Sequence, residues 1–159
     1  MQEDTSRSAQ RDAPQPPAED SQTLTFPGQY DSLAVISEFV TRAAEAANLD
    51  EHGIYAVQMA VDEACCNIIE HAYGGEGRGD VDCSCRVNDE GLTVTLRDHG
   101  RPFDSSAVPE PDLQAELEDR NVGGLGLYFM RRLMDEVRFE STPEEGNSVT
   151  MVKRKEARP

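Results

Sequence analysis

The segment Val61-Asp-Glu-Ala-Cys-Cys-Asn-Ile-Ile-Glu-His-Ala-Tyr73 carries polar and apolar side chains at helical spacing. Glu63, Asn67 and His71 recur every four residues, so a helix with about 3.6 residues per turn places them on one face. A second stripe is apolar and consists of Ile54, Val57, Val61, Ala64, Ile68 and Ala72. The pattern predicts a helix over residues 54–73 that packs on its apolar side and presents a carboxylate, an amide and an imidazole on the other.

Further helices and strands surround this helix in the sequence. Alternating and helical periodicities, together with the hairpin signal Asn88-Asp-Glu-Gly91, define them. In chain order we expect strand 23–26, helix 33–47, helix 54–73, strand 81–87, strand 92–97, helix 127–136, strand 137–141 and strand 148–152. The order predicts an α+β fold, a two-layer sandwich in which helices cover one face of a mostly antiparallel sheet.

The 159 residues predict one domain with a tail at each end. Residues 1–22 are rich in Pro, Ser, Gln, Asp and Glu, and they bury too little apolar surface to offset their ordering entropy. We therefore expect a disordered acidic tail at 1–22, a domain at 23–155 and a frayed C-terminus at 156–159. Residues 103–121 predict a long loop, and loops of this length often act as lids.

The charge balance restricts the partners. Fifteen Lys and Arg face 31 Asp and Glu, and the formal net charge is −16. This charge disfavours direct nucleic-acid binding, because neutralising phosphates requires clustered basic residues. A basic protein partner or a metal-carried anion suits this charge. The sequence has no bilayer-spanning apolar run and no signal peptide, so we expect a cytoplasmic protein without membrane association.

Four cysteines are present, Cys65, Cys66, Cys83 and Cys85. Adjacent helical positions and alternate strand positions are poor disulfide partners, which fits a reduced cytosol. Because Cys83 and Cys85 share one strand face, a metal site that uses all four thiols is an alternative to buried packing. Their spacing is not the usual Cys-x2-Cys of a zinc site, which favours packing.

Glu63 and Asn67 form the first candidate site. A carboxylate and an amide one turn apart can hold a divalent cation through their oxygens, or orient a water or hydroxyl. Taken alone, the pair is more simply read as two solvated helix residues.

The segment Asp98-His-Gly-Arg-Pro102 is the second candidate. Asp98 ends a strand and can accept a hydrogen bond from an exocyclic amine, and Gly100 allows a flat ring to approach the backbone. A plain turn with an Asx hydrogen bond is the alternative.

The segment Gly123-Gly-Leu-Gly126 is the third candidate. It opens the predicted helix 127–136, where free N–H groups and the helix dipole suit phosphate. It does not follow a strand directly, which argues against the Rossmann and Walker arrangements. A lid hinge or simple helix entry is the alternative.

The three candidates together resemble the GHKL ATPase superfamily. Glu63-x3-Asn67-x3-His71 resembles its N box, Asp98-x-Gly100-x-Pro102 its G1 box and Gly124-x-Gly126-Leu127 its G2 box. The sequence RPFD after the G1 glycine and GGLGLYFMRRLMDEV after the loop are similar to anti-sigma factor serine kinases. The resemblance covers about residues 23–155.

This resemblance implies a Bergerat, or histidine kinase-like ATPase, fold that binds Mg-ATP. It implies that Glu63 is a general base towards a serine of a STAS-domain anti-anti-sigma protein. Asn67 would ligate Mg²⁺, and Asp98 would bind the adenine amino group. The phosphate-binding residues would be Gly123, Gly124 and Gly126. The implied partners are a sigma factor and the STAS-domain protein, and the implied assembly is a homodimer.

The remaining residues of the three boxes complete the expected nucleotide site. They are His71, Gly100, Arg101, Leu125 and Leu127. His71 fits a ligand role or a capping and packing role equally well. Arg101 and Arg120 flank the predicted lid and fit a contact with phosphate or partner as well as a solvated surface.

One departure concerns the last glycine box, which would contain Gly146. Asn147 and Ser148 stand where the family often has Thr, so we assign no phosphate contact there.

Three rival functions follow. The leading hypothesis is a protein serine kinase that also sequesters a sigma factor. A non-catalytic, nucleotide-gated binding module is the alternative. The ATP-binding half of a sensor histidine kinase is disfavoured, because His52, His71 and His99 are the only histidines and none lies on a separate phosphoacceptor helix pair.

Overall fold

A computed structural model describes residues 20–103 and 122–156, with the side chains of 122–125 excepted. Five strands form one sheet in the order β1-β2-β3-β5-β4, and every neighbouring pair is antiparallel. The elements are β1 (Asp20–Pro27), α1 (Ser32–Ala46), α2 (Glu51–Asn67), a π-helical turn (Ile68–Ala72), β2 (Asp80–Asn88), β3 (Gly91–Asp98), α3 (Val122–Leu133), β4 (Glu136–Thr142) and β5 (Gly146–Arg154). The α+β prediction is confirmed.

The two faces of the sheet differ in composition. On the inner face, alternate residues of β2, β3 and β5 are buried with residues of α1 and α2; they include Val81, Leu92, Val94, Leu96, Val149 and Met151. Full burial of one such side chain contributes roughly 1.5–3 kcal/mol. The outer face carries polar residues, among them Thr23 and Ser84, whose hydroxyl oxygens are 2.7 Å apart. Helices therefore cover one face, as predicted.

The β2–β3 hairpin turns where the sequence predicts it. Asn88 Oδ1 accepts hydrogen bonds from the backbone N–H of Glu90 at 2.9 Å and of Gly91 at 3.1 Å. Gly91 has a φ of 149°, a conformation that favours glycine. The turn aligns β3 with β2 and so delivers Asp98 to the end of the sheet.

Helix α2 starts earlier than predicted and ends differently. It begins at Glu51, because the Asp50 side chain caps it by accepting from Gly53 N at 2.7 Å. The predicted α-helix up to Tyr73 is wrong in its last turn. There the chain widens into the π-helical turn, and Tyr73 N donates to the Ile68 carbonyl at 2.9 Å, five residues back.

Two other boundaries differ from the prediction. Strand β1 starts at Asp20 rather than Thr23, because Ser21 and Gln22 pair with β2. Helix α3 runs over Val122–Leu133 rather than 127–136, so its glycines lie inside the first helical turns. The predicted tail up to residue 19, Arg120 with the rest of the predicted lid from residue 104, and the C-terminal residues 157–159 lie outside the described residues.

Three of the four cysteines belong to the core. Cys65, Cys83 and Cys85 are buried, and Cys66 is half-buried. Burial raises the pKa of the Cys65 thiol to about 12. A hydrogen bond with Cys85, and then burial, raise the pKa of the Cys83 thiol. The burial of these three thiols in the apolar core favours packing over metal binding. Within the described ranges, no three His, Cys, Asp or Glu side chains converge as a metal site.

No helix among the described residues is long and apolar enough to cross a bilayer.

Candidate functional site

A cleft that is open to solvent at its mouth lies between the end of α2 and the inner face of the sheet at β3, β4 and β5. Its apolar lining includes Ala64, Ile68, Phe103, Phe139 and Val149. The Phe103 and Phe139 ring centroids are 5.1 Å apart, with a tilt of 55° between the ring planes. Its polar lining includes Asn67, His71, Asp98, Arg101 and Asn147. An apolar cleft with a few convergent polar groups is typical of a small-molecule site that accepts a flat ring.

Asp98 is a buried carboxylate in this cleft, with 4% of its surface exposed. Its Oδ1 accepts a hydrogen bond from Gly100 N at 2.8 Å and another from Asn147 Nδ2 at 2.8 Å. No donor within residues 20–103 and 122–156 reaches its Oδ2. The predicted Asx bond to the turn therefore exists, and it leaves one carboxylate oxygen available to a ligand. The Asx-bonded turn and the proposed acceptor for an exocyclic amine are therefore compatible at Asp98.

Asn147 is a site residue that sequence reasoning missed. Its side chain is buried, and its Nδ2 also lies 3.0 Å from the Gly100 carbonyl and 3.1 Å from the Arg101 carbonyl. Its Oδ1 accepts from Ser141 Oγ at 2.7 Å. Asn147 is the register partner of Asp98 on β3 and of Ser141 on β4, so three strands contribute one polar row. The alternation of β5 was the available signal, since Asn147 shares the inward face with apolar residues.

The turn after Asp98 rests on the end of the helix. Arg101 N donates to the Ala72 carbonyl at 2.8 Å, and the Arg101 guanidinium lies 3.5 Å from the His71 carbonyl. A β-carbon at Gly100 would collide with the Ala72 carbonyl, so only glycine permits this approach. The π-helical turn and the Asp98 turn thus form one wall of the cleft.

Tyr73 provides a second anchor for this wall. Its hydroxyl donates to the Asp80 carbonyl at 2.6 Å and accepts from His99 N at 3.0 Å. Burial is the main reason that the pKa of Tyr73 is raised, and nearby aspartates add to it. The neutral phenol can therefore donate and accept at once, which holds the β3 end against the start of β2.

Glu63 lies outside the cleft lining, beside the start of α3. It is half-buried, and a β-carbon at Gly126 would lie 2.7 Å from Glu63 Oε2. No hydrogen bond from the described residues engages its carboxylate. Glycine at position 126 therefore lets the α3 backbone come close to this carboxylate.

The predicted site residues fall into two groups. Asn67, His71, Asp98 and Arg101 line one cleft, and Gly100 closes the turn behind it. Glu63 and Gly126 meet where α2 adjoins α3. Of the remaining G2 residues, Gly123, Gly124 and Leu125 contribute backbone to the first turns of α3, and Leu127 is buried. The Leu125 side chain lies outside the described atoms.

The donor set near Asn67 fits Mg²⁺ that is carried by a nucleotide. Asn67 is half-buried in the cleft lining and offers an amide oxygen. Mg²⁺ is typically bound by one or two protein oxygens, substrate phosphates and waters rather than by an all-protein cage. One amide oxygen in the cleft is consistent with that mode.

Comparisons with known proteins agree with this geometry. Residues 26–153 match the family model of the Histidine kinase-like ATPase domain. The Serine-protein kinase RsbW of Bacillus subtilis strain 168 is 33% identical over 134 residues, which cover 82% of each chain. The enzyme of the same name from Listeria monocytogenes serovar 1/2a is 31% identical over 140 residues, or 84% of this chain and 87% of the relative.

A solved structure shares the fold. It is the crystal structure of the RsbU and RsbW domains of a protein from Mycobacterium tuberculosis, with a TM-score of 0.60 at 15% identity. The match covers 85% of this chain and 32% of that longer chain.

Proposed function

Because the chain belongs to the serine-protein kinase RsbW family, within the Histidine kinase-like ATPase domain family, we propose that it phosphorylates a serine of a partner protein with ATP and also binds a sigma factor. The observation that carries this proposal is the division of the polar face of α2. Asn67 lines the same cleft as Asp98, whereas Glu63 lies one turn earlier, beside α3. Metal binding by Asn67 and proton transfer by Glu63 thus have separate positions on one helix face, and Asp98 at the end of β3 recognises the nucleotide base.

The residues of the chain have distinct tasks in this reaction. Asp98 Oδ2 accepts a hydrogen bond from the adenine amino group, and the apolar lining packs against the ring. Backbone N–H groups at the start of α3, at Gly123 and Gly124, donate to phosphate oxygens, because the first N–H groups of a helix have no partner within it. Gly126 lies further into α3, where the absence of a side chain lets the helix approach Glu63. Asn67 would hold Mg²⁺ together with the phosphates, and the bound ion would neutralise their negative charge.

Glu63 is the general base. It accepts the proton of the serine hydroxyl while the serine oxygen bonds to the γ-phosphorus and the bond from phosphorus to the ADP oxygen breaks. The products are phosphoserine on the partner and ADP. A carboxylate that is half-buried and not held by described donors can take this proton without breaking an existing network.

Two proteins are the proposed partners. A STAS-domain anti-anti-sigma protein supplies the serine, and a sigma factor is the sequestered partner. The net charge of −16 favours a basic surface such as that of a DNA-binding sigma factor, so complex formation should slow as salt rises. We propose that the chain acts as a homodimer in the cytoplasm, where both ATP and sigma factors are found.

A phosphate-transfer assay tests the proposal. The full chain is incubated with γ-labelled ATP, Mg²⁺ and a purified STAS-domain protein, in parallel with the same protein after its acceptor Ser is changed to Ala. We expect label on the first protein and none on the second, and loss of transfer when a chelator removes Mg²⁺. ATP binding without any transfer would instead identify a nucleotide-gated binding module.

A further inference from the structure

The Asn147 amide has one chemically sensible orientation. Its Nδ2 faces three acceptors, which are Asp98 Oδ1 and the carbonyl oxygens of Gly100 and Arg101, at 2.8 to 3.1 Å. Its Oδ1 faces the Ser141 hydroxyl at 2.7 Å. Rotating the amide by half a turn would set an oxygen against three oxygens, so the N–H groups must point at Asp98 and its turn.

This orientation determines what Asp98 can offer a ligand. Oδ1 accepts from both Gly100 N and Asn147 Nδ2, so its two lone pairs are already used within the protein. Both donors act on the same oxygen, which prevents the carboxylate from turning about its Cβ–Cγ bond. Oδ2 is left in a fixed position as an acceptor, and a ligand must bring a donor to it.

We propose that Asn147 determines the base preference of the cleft, because it holds Asp98 as a fixed acceptor that selects a base with an exocyclic amine over one with a carbonyl. The inference rests on the proposed function, since it assumes that the cleft binds a nucleotide base. Asn147 acts through Asp98 and is therefore a positioning residue.

The residue type matters at this position. A side-chain amide has two N–H donors and an acceptor, so Asn147 can serve Asp98, the carbonyls of the following turn and Ser141 together. The Thr that resembling sequences often carry here has a single O–H donor and a shorter reach. A Thr at this position could therefore make only some of the hydrogen bonds that the Asn147 side chain makes.

Binding titrations with two nucleotides test this role. The full chain is titrated with ATP and with inosine triphosphate, in which a carbonyl replaces the amine of the base. The unaltered chain is expected to prefer ATP by about 10- to 100-fold. In Asn147→Leu we expect the ATP affinity to fall by about 10-fold and the inosine triphosphate affinity to change by less than about 2-fold, because only the amine uses Oδ2.

Two further variants sharpen the result. Asn147→Thr retains one donor. Its preference for ATP over inosine triphosphate is expected to lie between that of the Leu variant and that of the unaltered chain. Ser141→Ala removes the hydrogen bond to Asn147 Oδ1 and so holds the amide less firmly, which should narrow the preference for ATP by about 2- to 5-fold. Thermal unfolding identifies a variant that fails to fold, and the Ser141 and Thr variants then decide the question.

If the folded variants lose equal affinity for ATP and for inosine triphosphate, the ratio of the two affinities is unchanged. Asn147 then only stabilises the cleft, and its role in base preference is overturned. If the unaltered chain binds neither nucleotide, the proposed function itself fails. Normal ATP binding with an unchanged ratio refutes only the inference about Asn147.

Discussion

Asp98 and Glu63 are the two carboxylates of the proposed nucleotide site, and their surroundings are opposite in kind. Asp98 is 4% exposed and receives two hydrogen bonds on one oxygen, one from its own turn and one from the neighbouring strand. Glu63 is half-buried on a helix, beside a glycine of another helix, and no described residue donates to it.

The difference matches two kinds of task. A group that recognises a ligand gains from being held in one position, because less freedom is lost on binding. A group that accepts a proton must remain reachable by the partner that brings it. The difference supports the proposal that Asp98 recognises the nucleotide base and that Glu63 accepts the proton. Each of the following variants tests one of these two roles.

Removing the base has the largest expected effect. In Glu63→Gln the shape is retained but the proton acceptor is lost, so serine phosphorylation should fall by about 100- to 10,000-fold. ATP affinity should stay within about 2-fold, because Glu63 lies outside the cleft lining. Single-turnover transfer and a separate ATP titration measure the two quantities. Transfer at the normal rate would show that Glu63 is not the base.

Changing the recognition group should act on binding instead. Asp98→Asn replaces one carboxylate oxygen by an NH₂ group, and when that group faces the adenine amine two donors oppose each other. We expect ATP affinity to fall by about 10- to 100-fold, while the transfer rate at saturating ATP falls much less. Equal losses in both quantities would remove the distinction between the two carboxylates.

The glycine beside Glu63 should have a smaller effect. In Gly126→Ala the new β-carbon would meet Glu63 Oε2, so the carboxylate must move. Displacing a catalytic group by a fraction of an ångström should slow transfer by about 10-fold. Gly53→Ala is the matched control, because that helical glycine lies at the other end of α2. An equal rate loss in both variants would point to a general effect of helix packing.

The smallest expected effect reports on the charge of Glu63. Burial, followed by the charges of Glu70, Glu63 and Asp62, raises the pKa of the Cys66 thiol. Removing one negative charge in Glu63→Gln lowers that pKa, so more thiolate is present at pH 8. Alkylation of Cys66 should then be about 2-fold faster. Cys66→Ser is the control for labelling elsewhere, and an unchanged rate would mean that the Glu63 charge does not reach the thiol.

The sequence predicts those parts of the site that depend on local spacing. Glu63 and Asn67 follow from helical periodicity, and Asp98 follows from the position at which an alternating strand ends. The hairpin at Asn88 to Gly91 sets the register that carries Asp98 to the cleft. These features can be predicted from the sequence because each depends on residues that are close along the chain.

The missed features depend on contacts between distant segments. Asn147 meets Asp98 only because β5 lies beside β3, a pairing that no local pattern specifies. The early start of α3 was missed because glycine lowers helix propensity, and here the helix begins at Val122 and includes three glycines in its first five residues. The π-helical turn has no periodic signature, since its residues also fit an α-helix.

The π-helical turn at Ile68–Ala72 changes the direction in which the chain leaves α2. An α-helix rotates by about 100° per residue, and the wider turn at Ile68–Ala72 rotates by less, so Tyr73 and everything after it are displaced relative to Asn67. Cleft width is therefore set by the winding of the backbone as well as by side-chain size. A single-residue deletion in this turn would rewind the helix and carry the Ala72 carbonyl away from Arg101 N. Relatives with one residue more or fewer here would have clefts of a different width around the same chemical groups.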